Sequence, residues 1–169
     1  MAGEILASAF VLEGKYASAF PMFGAERRGA PITAFLRFDE KPVRLSTQIY
    51  EPDCLLVLDP AQLTSATFKG LKPGGILVLS SSKPITDRIH PNVGVIGFTD
   101  AMAIALEEIG RPIVNTCMLG AFAKTTGWTS LDFILPSLEA YFSGPLLEKN
   151  VSAVRRGFTT TQISNFKGE

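Results

Sequence analysis

The chain is 169 residues long, 46% hydrophobic and 19% charged, a composition that belongs to globular proteins and excludes a disordered or low-complexity one. Its 16 basic residues balance 16 acidic ones, so the overall charge gives no sign of a nucleic-acid partner, which would favour a basic face. No run of about eighteen apolar residues occurs and no basic stretch leads into an apolar one at the start, so neither a membrane-spanning helix nor a signal peptide is expected; the chain is expected in the cytoplasm, as one domain over residues 1–169.

Residues 1–13 predict a helix, with Ile5, Leu6, Ala9, Phe10 and Leu12 forming its apolar face and Gly14 stopping it. Residues 16–20 read as a strand. A loop bounded by Gly24 and Gly29 follows, holding Glu26, Arg27 and Arg28 between Pro21 and Pro31. Glycine lets such a loop turn, proline stiffens its entry and exit, and Arg can grip a carboxylate or phosphate bidentately. A plain structural loop, with Glu26 paired to one Arg, is the alternative at this point. Residues 31–38 read as a second strand, 39–42 as a polar turn, and 43–46 as a short returning strand that makes a hairpin.

Residues 54–58 form an unbroken apolar run, as in a parallel strand buried on both faces. Asp59 falls at its carboxyl end, where open α/β sheets place ligands, though capping the short helix begun by Pro60 is the better account of it. Residues 61–68 are weakly helical, 72–75 a turn and 76–79 a strand. The Ser80, Ser81, Ser82 and Lys83 run can be read as a phosphate cradle or as a solvated loop; it is not a P-loop. Residues 93–98 give another strand after the His90–Pro91 turn. Thr99 reads as the N-cap of a helix over 100–109 that Gly110 ends. Residues 115–124 are rich in small apolar side chains suited to close helix packing. Residues 130–142 predict a helix that Pro136 bends, and 146–158 a last helix whose Arg155 and Arg156 complement its dipole. From Thr159 the tail is polar and reads as frayed. The resulting fold is α/β: a three-layer Rossmann-like domain with a mainly parallel sheet, a β-hairpin excursion over 16–46 and a helical C-terminal half.

Catalytic groups are scarce. His90 is the only histidine, and Cys54 and Cys117 are the only cysteines, each in apolar surroundings that favour inert thiols. Two thiols are too few for an iron–sulfur or structural zinc site. No catalytic triad and no dinucleotide fingerprint is present. Mean hydropathy is +0.23, an apolar excess that suits a subunit covered by a partner.

The run Phe23-Gly24-Ala25-Glu26-Arg27-Arg28-Gly29-Ala30-Pro31 closely resembles a signature of the γ subunit of 2-oxoacid:ferredoxin oxidoreductases, of the pyruvate or ketoisovalerate type. Gly14-Lys15-Tyr16, Pro52-Asp53, Asp59-Pro60, Leu71-Lys72-Pro73-Gly74-Gly75 and Asn115-Thr116-Cys117-Met118-Leu119-Gly120-Ala121 follow the same pattern in order and spacing. Members of that family begin with a strand and a G-R-G-G-Q-G turn before the first helix. This sequence lacks both, only Gly3 remaining, so nothing that turn does is carried over.

The resemblance implies a cofactor-free α/β subunit working beside α, β and ferredoxin-like δ subunits, with ferredoxin as electron acceptor. The assembled enzyme would oxidatively decarboxylate a 2-oxoacid, pyruvate first among candidates, with coenzyme A. Thiamine diphosphate and iron–sulfur clusters would lie in the companion subunits. It makes Glu26, Arg27 and Arg28 candidate contacts to coenzyme A or to a partner subunit, with no catalytic residue and no metal ligand. Two other readings stay open: a stand-alone module binding a phosphate-bearing ligand through the Arg loop and Ser80–Lys83, and an independent reductase, which the absent glycine-rich turn disfavours.

Overall fold

The computed structural model describes residues 1–22 and 32–166. Its first helix, α1 (Ala2–Leu12), buries Ile5, Leu6, Ala9 and Phe10. Leu12, expected to face inward, is exposed, because the buried stripe ends at Phe10. The helix stops as its sequence predicts. Gly14 takes φ +93°, its N–H donates to the Val11 carbonyl at 3.0 Å, and the Lys15 N–H donates to the Phe10 carbonyl at 2.9 Å. This pair of bonds is a Schellman cap, which needs the left-handed conformation that glycine tolerates.

Strands β1 (Tyr16–Pro21) and β2 (Ala34–Asp39) pair antiparallel, from Tyr16 opposite Asp39 to Pro21 opposite Ala34. The hairpin is therefore made around the Arg-bearing loop. The expected returning strand at 43–46 does not form: residues 41–53 run without strand pairing. Pro42 lacks an N–H for a ladder, and the segment is held by a side chain instead, as described below.

The second sheet runs β3-β4-β5-β6, with β3 (Cys54–Val57), β4 (Gly75–Ser80) and β5 (Val93–Thr99) parallel and β6 (Gln162–Asn165) antiparallel to β5. Strand β3 was expected to be buried on both faces. It is an edge of this sheet, so only Val57 is buried and its other residues are half-buried. The polar tail expected to fray is β6. Its pairing continues into a bond from the Phe166 N–H to the Gly94 carbonyl at 2.8 Å, with the Phe166 ring buried.

Alternation along the strands divides the core. Cys54, Leu56, Ile76 and Val78 face a layer of helices: α1, α2 (Ala101–Glu108), α3 (Asn115–Thr126), α4 (Leu131–Ser137) and α5 (Gly144–Thr160). Leu55, Val57, Leu77, Leu79, Ile96 and Phe98 face the other side, where Phe68, Leu71, Ile85 and Phe166 cover them. That third layer consists of short 3-10 turns, Pro60–Gln62 and Ser65–Phe68, and loops. Pro60, Pro73, Pro84 and Pro91 punctuate both connections between the parallel strands, so neither grows a regular helix.

In the helical layer, α3 and α5 approach at glycines. A Cβ on Gly120 would lie 2.0 Å from the Val154 carbonyl oxygen, and one on Gly157 2.0 Å from that of Cys117. The small residues of 115–124 thus serve packing inside the chain. Thr116 donates to Asn150 Oδ1 at 2.8 Å across the same contact, a buried bond between the two helices. Helix α2 is capped by Asp100, whose Oδ1 accepts from the Ala103 N–H at 3.1 Å. Thr99, expected as the cap, ends β5 and its hydroxyl lies 2.7 Å from that of Thr160. The helix expected over 130–142 is shorter. Pro136 falls in its last turn, and the chain continues as a 3-10 turn, Leu138–Ala140.

Candidate functional site

Glu26, Arg27 and Arg28 lie outside the described residues. The stem on either side of them is described. Its last ladder pair is Pro21 with Ala34, and the Met22 N–H donates to the Thr33 carbonyl at 2.8 Å. Phe20 and Phe35 meet across the strands as a tilted pair, with ring centroids 5.5 Å apart.

Behind the stem, Phe38 stacks on Phe10 at 3.8 Å and meets Trp128 at 5.6 Å, and Trp128 meets Phe122 at 6.0 Å. This aromatic column fixes the hairpin to α1 and α3 without any sheet hydrogen bond to β3. Lys15 closes it: its ammonium lies 5.6 Å and 5.7 Å from the Phe10 and Phe38 ring centres and donates to the Trp128 carbonyl at 3.3 Å. The Gly14-Lys15-Tyr16 motif is accounted for by this cap and anchor.

Arg37 was not singled out in the sequence. Its guanidinium donates to the Thr47 carbonyl and, at 3.1 Å, to the Gln48 carbonyl. It also lies 6.0 Å from the Phe20 ring centre. One side chain on β2 thus straps residues 41–53 to the hairpin, where a returning strand was expected. The signal available in the sequence was an arginine in mid-strand among apolar neighbours, Leu36 and Phe38.

Between β2, this strap and β3 lies an open groove of about 1850 Å³. Small-molecule pockets run roughly 300–1,000 Å³, and this groove is larger and open along its length. Leu6, Leu36, Phe38, Leu56 and Trp128 line it, with Leu45 and Tyr50 at 62% and 72% exposure on the strap.

The other sequence-picked residues have structural occupations. Asp59 Oδ1 accepts from the Ala61 N–H at 2.9 Å, which is the capping role. Ser80 is buried. Ser81 spends its hydroxyl inside its own turn, donating to the Lys83 carbonyl at 2.9 Å and accepting from the Lys83 N–H at 3.2 Å. The recess beside it, about 300 Å³, is shared by Lys83, Arg156 and the Asp100 carboxylate. That carboxylate sits where an anion at the start of α2 would have to bind.

His90 Nδ1 accepts from the Asn92 N–H at 3.1 Å and its ring stacks on Phe68 at 4.9 Å, a turn residue rather than a base. Arg156 does not serve the dipole of α5, which extends a further turn to Thr160. It donates to Glu107 at 2.6 Å and Glu108 at 3.0 Å on α2, and these bonds raise its pKa. Burial, with the Asp53 carboxylate second, pushes the Cys54 thiol up to about 12. Burial outweighs the Arg156 charge at Cys117, which also rises to about 12. Neither thiol is poised as a nucleophile. No group of three or more His, Cys, Asp or Glu side chains among the described residues is placed to hold a metal ion. No helix among them is long and apolar enough to cross a membrane.

The profile of one family, described as pyruvate ferredoxin/flavodoxin oxidoreductase, matches residues 1–160. The chain is similar to the pyruvate/ketoisovalerate oxidoreductases common subunit gamma of Thermococcus kodakarensis, 48% identical over 166 residues that cover 96% of this chain and 90% of the relative. It is 44% identical over 170 residues to the NADH-dependent phenylglyoxylate dehydrogenase subunit gamma of Aromatoleum evansii, covering 99% of this chain and 90% of that one. Its fold matches the crystal structure of pyruvate oxidoreductase subunit PORC from Thermotoga maritima with a TM-score of 0.84 at 36% identity, covering 97% of this chain and 90% of that one.

Proposed function

The chain belongs to the pyruvate ferredoxin/flavodoxin oxidoreductase family, and from that premise we propose that it is the γ subunit of a multi-subunit 2-oxoacid:ferredoxin oxidoreductase, with pyruvate as the substrate. The observation that carries this reading is the mutual coverage: the 48% identity to a γ subunit spans 96% of this chain and 90% of the relative. Most of a subunit is matched rather than a module shared among unrelated enzymes. The stand-alone binding module loses its support, since the Ser81 hydroxyl is used within its own turn and a carboxylate occupies the adjoining recess.

The reaction assigned to the assembly is CoA-dependent oxidative decarboxylation of a 2-oxoacid to acyl-CoA, CO2 and reduced ferredoxin. This chain's own residues do not fit an iron–sulfur cluster, which takes four thiolates where two cysteines exist. Thiamine diphosphate and the clusters are accordingly assigned to α, β and ferredoxin-like δ companions, and no step is routed through this chain. Its role is that of a single domain over residues 1–169, working in the cytoplasm. A relative called a common subunit of two oxidoreductases, and another in a phenylglyoxylate enzyme, support placing substrate choice in the companions.

Within this reading, Arg27 and Arg28, with Glu26 between them and Gly24, contact the coenzyme A phosphates or a partner subunit. Bidentate guanidinium groups suit either surface. Replacing both by Arg27→Glu and Arg28→Glu is expected to block assembly or to raise the KM for coenzyme A about tenfold or more, with the isolated chain's melting temperature unchanged. Unaltered assembly together with an unaltered KM would remove both roles.

A further inference from the structure

We draw no further inference here: the strongest candidate, the recess at the carboxyl ends of β4 and β5 between the Ser81–Pro84 turn and the start of α2, is a helix N-terminus already capped by Asp100, and among the described residues no buried, unpartnered side chain lines it to show that a ligand binds there.

Discussion

Arg37 holds residues 41–53 with two hydrogen bonds to consecutive carbonyls, Thr47 and Gln48. Charge-assisted bonds are about twice as strong as neutral ones, yet this arginine is half-buried, so its contribution belongs at the low end, about 1 kcal/mol. Arg37→Leu should therefore free the strap while leaving the two cores standing. Limited proteolysis should cut within residues 41–53 several-fold faster, with the melting temperature lowered by only a few degrees. Unchanged cleavage would mean that the strap is held elsewhere.

The two thiols make a second residue-scale prediction. Both titrate near 12 against an ordinary value of 9.0. At pH 8 the thiolate fraction is then about a thousandfold below that of an unperturbed cysteine, and alkylation by iodoacetamide in the native state should be correspondingly slow. The linked effect on stability has a definite sign. Between pH 9 and about 12 the unfolded chain has lost protons that the folded chain retains, so stability is full below pH 9 and declines as pH rises through that window. Denaturant midpoints at pH 8 and pH 10.5 check it, and a higher midpoint at pH 10.5 would contradict it.

At the scale of elements, the α3–α5 contact is the tightest in the helical layer. Gly157→Ala would force a methyl against the Cys117 carbonyl, and neither helix backbone can give way cheaply. The expected loss is about 3 kcal/mol or more, read by urea denaturation. A loss below about 0.5 kcal/mol would show that the helices slide apart freely. Asn150→Ala should cost about 2 kcal/mol, because the buried Thr116 hydroxyl would lose its acceptor.

The elements themselves were mostly readable. Apolar runs bounded by glycine and proline marked β4, β5 and α3, and Gly14 marked the end of α1. What was not readable depended on partners distant in sequence. Strand β6 looked like a frayed tail because its residues are polar, and it becomes a strand only by pairing with β5. Residues 43–46 looked like a strand, but the segment is held instead through Thr47 and Gln48, ten and eleven positions from the Arg37 side chain that bonds them. The N-cap moved from Thr99 to Asp100 because Thr99 is already committed to β5 and to Thr160.

For the whole molecule, two cores on opposite faces of one sheet give the scaffold, and a hairpin attached by aromatic stacking stands beside it. The scaffold carries no convergent set of catalytic groups among its described residues. Every one of the short motifs described at atomic detail serves a cap, a turn or a helix contact. Lys72 and Gly74, for instance, shape the turn into β4, where Gly74 takes φ +77° and Lys72 pairs with Asp53 at 3.0 Å. Such motifs are legible as a family signature because they fix the fold, and for the same reason they are silent about chemistry. Glu26, Arg27 and Arg28, the residues with the strongest claim to function from sequence, gain no geometric support because they lie outside the described residues. The groove beside β3 could not be read from sequence at all, since it depends on which strand edges remain unpaired.

The most direct measurement is capture of this chain, tagged at its carboxyl end, from its native lysate, followed by mass spectrometry and by assay of the captured material for pyruvate- and CoA-dependent dye reduction. Stoichiometric recovery of a thiamine-diphosphate subunit and a ferredoxin-like subunit, with that activity, is the expected result. Recovery of the folded chain alone would contradict its assignment as a γ subunit.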